Sequence, residues 1–302
     1  MSDMRFEGRA VIVTGAGSGL GKSHALEFAR RGAQVVVNDL GGAVDGSGSG
    51  SSAADLVVKE IEAEGGTAVA NYDSVSTKEG GEAIVKAALD NFGRVDVVVN
   101  NAGILRDRSF VKMSEQEMNA VLDVHLRGAF YVSQPAFQAM KENRYGRFVF
   151  TASAAGVFGN FGQANYGAAK MGLVGLSNVL SQEGVKHEIK SNVIAPIALT
   201  RMTEGIMDGL GLQLDPEYVT SMVVYLASEE CEQTHEIYSV GAGRYARVFV
   251  GLCPGWADVE SDSVSAEDVR DHLGQIRDLS GYTIPGNAAE EMIEAIKLIK
   301  GQ

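Results

Sequence analysis

The sequence predicts an α/β protein: one doubly wound, parallel β-sheet in a single domain, with a helical tail at its C-terminal end. Three observations predict this. Short, continuously apolar runs recur up to about residue 200. Continuous rather than alternating apolarity marks strands covered on both faces, as parallel strands are. Helix-length segments separate the runs, and β-α-β-α alternation builds an open sheet with helices on both faces. The turn between the first run and the first helix is rich in glycine, which a tight strand-to-helix turn favours.

The elements follow in order. Ala10 to Thr14 (AVIVT) is the first strand and ends at glycines; Ser18 to Arg31 is a helix with Gly32 as its stop. Gln34 to Asn38 (QVVVN) is a second buried strand. Gly41 to Ser52, rich in Gly and Ser, is a loop. Ala53 to Glu64 is helical, with Ala54, Val57, Val58 and Ile61 on one face. Thr67 to Asn71 is the third strand, Lys78 to Phe92 a helix, and Val95 to Val99 the fourth strand, ending at Asn100-Asn101-Ala102-Gly103. Ser114 to Met140 holds two helical stretches, with a capping box from Ser114 and Glu117. Arg147 to Ala152 is the fifth strand, Ala164 to Glu183 a long helix, and Ser191 to Ile194 the sixth strand.

Beyond about residue 200 the pattern loosens. Met202 to Leu214 reads as a flap of helix and glycine, and Pro216 to Ala227 as a helix. Ile237 to Val240 and Tyr245 to Leu252 read as extended runs; Ser265 to Leu279 and Ala288 to Ile299 read as tail helices. The sheet core is expected to end at Gly241. This divides the chain into a domain over 1–245 and an extension over 246–302 that covers the substrate or contacts another subunit.

Composition narrows the class. The chain has 302 residues, 45% hydrophobic and 22% charged, as an ordinary globular domain does. A net charge of −13 argues against nucleic acid or an anionic membrane as the main partner. No run approaches the roughly 20 apolar residues of a membrane helix. Met1 to Gly8 is no secretory signal and Lys300-Gly301-Gln302 no receptor-read address, so a cytoplasmic protein is expected. Cys231 and Cys253 make neither a disulfide framework nor a zinc site, and the five histidines show no metal-ligand spacing, so no metal is expected.

The turn Thr14-Gly15-x-x-x-Gly19-x-Gly21 follows a strand and opens a helix. Such glycines let backbone N–H groups approach a pyrophosphate, and the helix N-terminus favours its charge. Asp39 ends the second strand 24 residues after Gly15. A carboxylate there accepts from ribose hydroxyls and repels a 2′-phosphate, which selects NAD over NADP; the competing reading is a turn cap. Asp73 follows the third strand and either meets the adenine or is a plain loop acid. Asn101 either ties strands together or lies near the adenosine ribose.

Ser153 ends the fifth strand, Tyr166 lies 13 residues on, and Lys170 four beyond it. Tyrosine and lysine at i and i+4 share a helix face. The phenol's reference pKa is about 10, and a nearby ammonium together with a cationic nicotinamide is expected to lower it. Tyr166 then exchanges a proton with an alcohol or ketone, Ser153 hydrogen-bonds the same oxygen, Lys170 also holds the nicotinamide ribose, and hydride moves to or from the nicotinamide. An exposed Tyr/Lys pair on a solvated face is the competing reading.

With these motifs the sequence resembles the short-chain dehydrogenase/reductase family over about residues 6–245. The carriers are Thr14-Gly15-x-x-x-Gly19-x-Gly21, Asn100-Asn101-Ala102-Gly103, Ser153 and Tyr166-x-x-x-Lys170. The resemblance implies a Rossmann-type fold and catalysis by Ser153, Tyr166 and Lys170. It implies NAD contacts from Gly15, Ser18, Gly19, Leu20, Asp39, Asp73, Ser74, Asn101, Ala102, Gly103, Tyr166, Lys170, Pro196 and Thr200. Longer runs are similar to one branch, the (3R)-hydroxyacyl-CoA dehydrogenase unit of peroxisomal multifunctional enzyme type 2, also called 17β-hydroxysteroid dehydrogenase type 4. They are VNDLGG at 37–42, VANYDS at 69–74, NAGILRDRSF at 101–110, HLRG at 125–128 and GNFGQANY at 159–166. The branch implies oxidation of a 3-hydroxyacyl-CoA, a fatty or steroid side-chain thioester, by a homodimer or homotetramer.

Two departures stand out. His125 occupies a position where many members of the family carry Asn, which is thought to hold a water in the proton relay; His125 is left out of the catalytic set. Pro196-Ile197 replaces the usual Pro-Gly. For CoA phosphates, Arg106, Arg108, Lys112, Arg244 and Arg247 are candidate cations, against a solvated basic patch. Two other functions stand beside the leading one: a dehydrogenase of free steroid, and a non-catalytic NAD-binding protein, which has no need of the Ser153, Tyr166 and Lys170 set.

Overall fold

In the computed structural model, which describes residues 3–198, 214–261 and 263–300, the apolar runs become β1 Ala10–Thr14, β2 Gln34–Asn38, β3 Thr67–Asn71, β4 Val97–Asn100, β5 Gly146–Thr151, β6 Ile189–Pro196, β7 Ile237–Gly241 and β8 Arg244–Val248. Among the described residues they form one sheet in the order β3-β2-β1-β4-β5-β6-β7-β8. Neighbours from β3 through β7 are parallel, in registers such as Val11↔Val35, Ile12↔Val98 and Val149↔Asn192. The order reverses between β1 and β4, which opens a crevice at the carboxyl ends of these two strands.

Helices α1 Gly19–Arg30, α2 Ser52–Ala63, α3 Lys78–Phe92, α4 Glu115–Leu122, α5 Gly128–Asn143, α6 Ala154–Val157, α7 Ala164–Gly184 and α8 Pro216–Ala227 surround the sheet. One face buries Val11, Val13, Val35, Val37, Val97 and Val99 with Phe28 of α1, Ile61 of α2 and Val223 of α8. The alternate residues of the strands face the other way; Phe148 of β5 stacks against Phe137 of α5 at 6.3 Å. Fully burying each such side chain contributes about 1.5–3 kcal/mol. This two-faced burial is why the strands read as continuously apolar.

Most expected elements form within a residue or two of their expected bounds, the usual scatter of helix and strand ends. Gly32, at φ +90°, stops α1 as expected, and the Ser114–Glu117 capping box is present. Four features differ. The sheet does not end at Gly241: Ala242 and Gly243 both take positive φ, at 50° and 74°, and such a pair makes a two-residue turn that leads into β8. A five-residue π-turn, Asp123–Arg127, joins α4 to α5. The one-turn helix α6 was not expected; Ser153 caps it by accepting from the Ala155 N–H at 3.2 Å. The helix expected over 265–279 is two short pieces, α9 Ala266–Asp271 and α10 Leu273–Ile276. They part at His272, whose Nδ1 bonds the Asp268 carbonyl and whose ring stacks on Trp256 at 4.1 Å. The flap expected from Met202 falls outside the described residues up to Leu214, which is buried.

The chain forms two compact units, Met1–Arg247 and Val248–Gln302. The second holds α9, α10 and α11 Ala288–Ile299, with a bridge between Leu252 and Thr283. None of its described residues is buried.

Candidate active site

The glycine turn is shaped by its lack of side chains. Gly15 and Gly19 take φ of +65° and +53°, a conformation that glycine adopts without penalty. A Cβ on Gly21 would fall 2.2 Å from the Gly15 carbonyl oxygen, and one on Gly17 would fall 2.7 Å from Asp39 Oδ2. Ser18 takes the N-cap position of α1, extended at φ −161°. Leu20 packs against the core beneath it. The result is a bare backbone cradle at a helix N-terminus, at the point where the strand order reverses.

Asp39 is bound into this cradle. Its Oδ2 accepts from Gly17 N–H at 2.7 Å and its Oδ1 from Gly41 N–H at 2.7 Å. The turn-cap reading is therefore part of its role, and each oxygen keeps a further acceptor site. Asp73 is exposed and accepts from Asn71 Nδ2 at 2.7 Å; Ser74 Oγ pairs with Ser76 Oγ at 2.8 Å. Asn101 ties strands together, donating through Nδ2 to the carbonyls of Thr14 (3.0 Å) and Gly15 (3.2 Å). Thr14 Oγ1 accepts from the N–H groups of Asn101 and Ala102 at 3.0 and 3.1 Å. Pro196 closes β6, and Thr200 lies outside the described residues. A cradle that any Cβ would fill, a helix N-terminus and a carboxylate at the end of β2 together fit a nicotinamide dinucleotide.

Ser153, Tyr166 and Lys170 come together at the carboxyl edge of β5. The Ser153 hydroxyl lies close enough to the Tyr166 phenol to favour its ionised form. Asn165 sets the start of α7: its Nδ2 donates to the Arg106 and Glu117 carbonyls at 3.0 and 3.1 Å, and its Oδ1 accepts from Tyr166 N–H at 2.8 Å. Lys170 is buried, donates to the Thr151 carbonyl, and holds Nζ 5.4 Å from the Tyr166 ring centroid.

The electrostatics of the protein alone differ from the sequence expectation. Burial pushes the Tyr166 phenol above its usual value, reinforced by Asp107 and opposed by the Ser153 hydrogen bond. Burial also pushes the Lys170 amine down to about 7. Spacing reveals the pair, whereas desolvation depends on the packing around it.

Among the candidate cations, Arg108 is paired with Glu117 at 3.0 Å and Arg247 with Glu236 at 3.2 Å. Arg106 donates to the Asp45 carbonyl, Arg244 to Ser239, and Lys112 is exposed. No helix among the described residues is long and apolar enough to cross a membrane.

The profile of the short chain dehydrogenase family matches residues 9–210. The chain is similar to peroxisomal multifunctional enzyme type 2 of Mus musculus, 50% identical over 295 residues that cover 96% of this chain and 39% of that protein. It is similar to the solved structure of full-length peroxisomal multifunctional enzyme type 2 from Drosophila melanogaster, at TM-score 0.83 and 40% identity, over 99% of this chain and 50% of that one. It is also similar to a short chain dehydrogenase from Mycobacterium avium, at TM-score 0.79 and 40% identity, over 90% of this chain and 97% of that one. The chain spans less than two thirds of the first relatives it matches, 39% of the mouse protein and 64% of multifunctional enzyme A of Dictyostelium discoideum.

Proposed function

The chain belongs to the short-chain dehydrogenase family, and from that premise we propose that it is an NAD-dependent oxidoreductase that converts a (3R)-hydroxyacyl-CoA to the 3-ketoacyl-CoA. The observation that carries the reading is the meeting of Tyr166, Ser153 and Lys170 on the same sheet edge as the glycine cradle. The choice of substrate is supported by the runs at 101–110, 125–128 and 159–166, which resemble (3R)-hydroxyacyl-CoA dehydrogenase units. A bulky acyl group, including a steroid side chain, falls within the same class. In this reading the chain works as a homodimer or homotetramer.

When bound, the nicotinamide supplies the hydride acceptor for oxidation and the hydride donor for reduction. The backbone of Gly15 to Gly19 and the N-terminus of α1 hold its pyrophosphate, Asp39 the adenosine ribose, and Lys170 the nicotinamide ribose. As a phenolate, its own proton given up to solvent under the charge of a bound nicotinamide, Tyr166 would take the substrate hydroxyl proton during oxidation, and as a phenol it would return one during reduction. Ser153 donates to the same oxygen and steadies its charge. Asp39 selects NAD, because a 2′-phosphate would meet its carboxylate.

The test is initial-rate NAD and NADP reduction with (3R)- and (3S)-hydroxyacyl-CoA of short and long chain, beside estradiol and a steroid side-chain hydroxyacyl-CoA. Preference for NAD and a (3R)-thioester supports the reading. Turnover of free steroid alone, or equal use of NADP, overturns it. Tyr166→Phe is expected to remove nearly all turnover and leave NAD binding intact.

A further inference from the structure

The glycine- and serine-rich segment 41–50 takes no part in the reaction above, yet its path across the sheet edge is specific. It leaves β2 after Asp39 and folds back on itself. Gly50 N–H donates to the Leu40 carbonyl at 2.9 Å, Ala43 N–H to the Ser47 carbonyl at 2.8 Å, and Gly46 N–H to the Ala43 carbonyl at 2.9 Å. At the neck a Cβ on Gly41 would fall 1.9 Å from the Gly50 carbonyl oxygen, so the two sides approach as closely as only glycine allows. Compact surface loops with their ends drawn together are frequently functional.

The tip of this loop is fastened to the segment that follows β4. Leu105 N–H donates to the Val44 carbonyl at 3.0 Å, and Arg106 Nε to the Asp45 carbonyl at 2.9 Å. Gly46 lies flat against Ile104, where a Cβ would fall 3.0 Å from Ile104 Cδ1. β2 and β4 are not neighbours, because β1 lies between them. All three strands are parallel. A bridge from the end of β2 to the end of β4 therefore passes the carboxyl end of β1, where the glycine turn begins. A loop that only joined β2 to α2 has no need to cross it.

We propose that residues 40–50 form a strap that gates cofactor exchange: clasped to Leu105 and Arg106, it closes off the glycine cradle, and the cofactor enters and leaves when the clasp opens. This rests on the reading of the glycine turn as the cofactor cradle. The clasp suits a gate. It consists of two hydrogen bonds and one apolar contact, and residues 45–50 are exposed. A segment held by so few contacts opens locally at small cost. The clasp is made within the chain and needs no cofactor, so it closes the free and the loaded protein alike. Such a closure slows entry and exit by the same factor and leaves Kd unchanged. A wall that merely touched the cofactor would slow exit alone.

That difference is what the test reads. NADH binding to the full chain is followed by stopped-flow fluorescence without acyl-CoA, beside thermal melts. Arg106→Met removes one bond of the clasp and keeps the apolar stem. Because losing one hydrogen bond shifts an equilibrium by about two- to tenfold, kon and koff are both expected to rise about threefold or more, with Kd within about twofold and no fall in melting temperature. A second variant locks the strap. A Cβ at position 46 would lie 3.7 Å from the Cβ of Ile104, within the roughly 3.5–4.5 Å of a disulfide. Gly46→Cys with Ile104→Cys is made in a Cys253→Ser background, since the other native thiol, Cys231, is buried. Air with copper phenanthroline oxidises the pair. On oxidation kon and koff are expected to fall together by about tenfold or more, and to recover with dithiothreitol. Comparing two redox states of one chain removes the effect of the substitutions themselves. Rates that agree within about twofold between parent and Arg106→Met, and between the oxidised and reduced pair, overturn the proposal. So does a rise in koff alone, which makes the strap a plain wall of the binding site, or a rate change that comes only with a lower melting temperature. If the disulfide does not form, Arg106→Met decides alone. A parent that binds no NADH refutes the cofactor reading itself, whereas a parent that binds NADH beside unchanged variants sinks the strap and leaves that reading standing.

Discussion

Lys170 shows what function costs at the scale of a residue. Its amine is buried and pushed down to about 7, so the folded protein binds this proton less readily than the unfolded chain. Between about 7 and the ordinary lysine value of 10.5 the unfolded state holds more protons, and stability rises with pH. Below about 7 the full penalty is present. Lys170→Met is therefore expected to raise the melting temperature, fully below about pH 7 and by less as pH climbs toward 10, while turnover is lost. Thermal melts across that range check it; a variant less stable than the parent at pH 6 contradicts it. Asp39 carries a second residue-scale prediction. It accepts Gly17 and Gly41 N–H groups, so it holds the cradle besides the ribose contact proposed for it. Asp39→Ser is expected to improve the NADP:NAD ratio of kcat/KM while weakening both cofactors, and steady-state kinetics with each show whether the two effects come together. Ser153, Tyr166 and Lys170 are legible in the sequence because helix periodicity and a strand end place them. The direction of their proton affinities is not legible there, because desolvation is set by residues from other elements.

At the scale of elements, two helix contacts make opposite demands on small and polar residues. Gly81 of α3 faces α5 so closely that a Cβ would fall 2.5 Å from the Tyr131 carbonyl group. Alanine in a helix interior is normally favoured over glycine by about 1 kcal/mol, whereas forcing atoms into a packed contact costs about 1–3 kcal/mol. The second effect wins here, and Gly81→Ala is expected to lower the urea midpoint; a higher midpoint would mean that the two helices part freely. His24 of α1 bonds Thr220 of α8 at 2.7 Å, beside Ser23, and burial pushes it down to about 3. It stays neutral in the folded chain while the unfolded chain protonates near 6.5, so stability is lost as pH falls from about 6.5 toward 3. His24→Gln is expected to flatten that acid loss in part, with buried His125 supplying a further share of the same sign. The strands and long helices are legible because each repeats one pattern over five or more residues. The one-turn α6 and the π-turn at 123–127 span too few residues for a period. The turn into β8 depends on Ala242 taking a positive φ, which alanine does not advertise.

At the scale of the whole molecule, β-α alternation is enough to foresee an open parallel sheet covered on both faces, whereas the reversal of its order between β1 and β4, which puts a crevice beside the glycine turn, is seen only in the structure. The C-terminal segment offered no such logic, because its pattern is not one of alternating strands and helices. The physical contrast between the two units is sharp. The clusters around Val11, Val35 and Val97 and around Ile104 and Ala169 lie wholly within Met1–Arg247. Among the described residues of Val248–Gln302 none is buried, and α11 exposes Met292, Ile293 and Ile299. A segment that buries so little of its own surface cannot offset the roughly 1–2 kcal/mol per residue of backbone ordering. Residues 248–302 made alone are therefore expected to show no cooperative thermal transition by circular dichroism. A chain ending at Val248 is expected to fold and to bind NADH within about threefold of the full chain, since that difference is under about 1 kcal/mol. A cooperative melt from the isolated segment, or loss of NADH binding from the shortened chain, contradicts this division of labour. The same shortened chain separates the two roles proposed for the extension. A changed acyl-chain preference with the number of subunits unchanged, read as sedimenting mass divided by the mass of the shortened chain, identifies a substrate cover, and a fall in that number identifies a subunit contact.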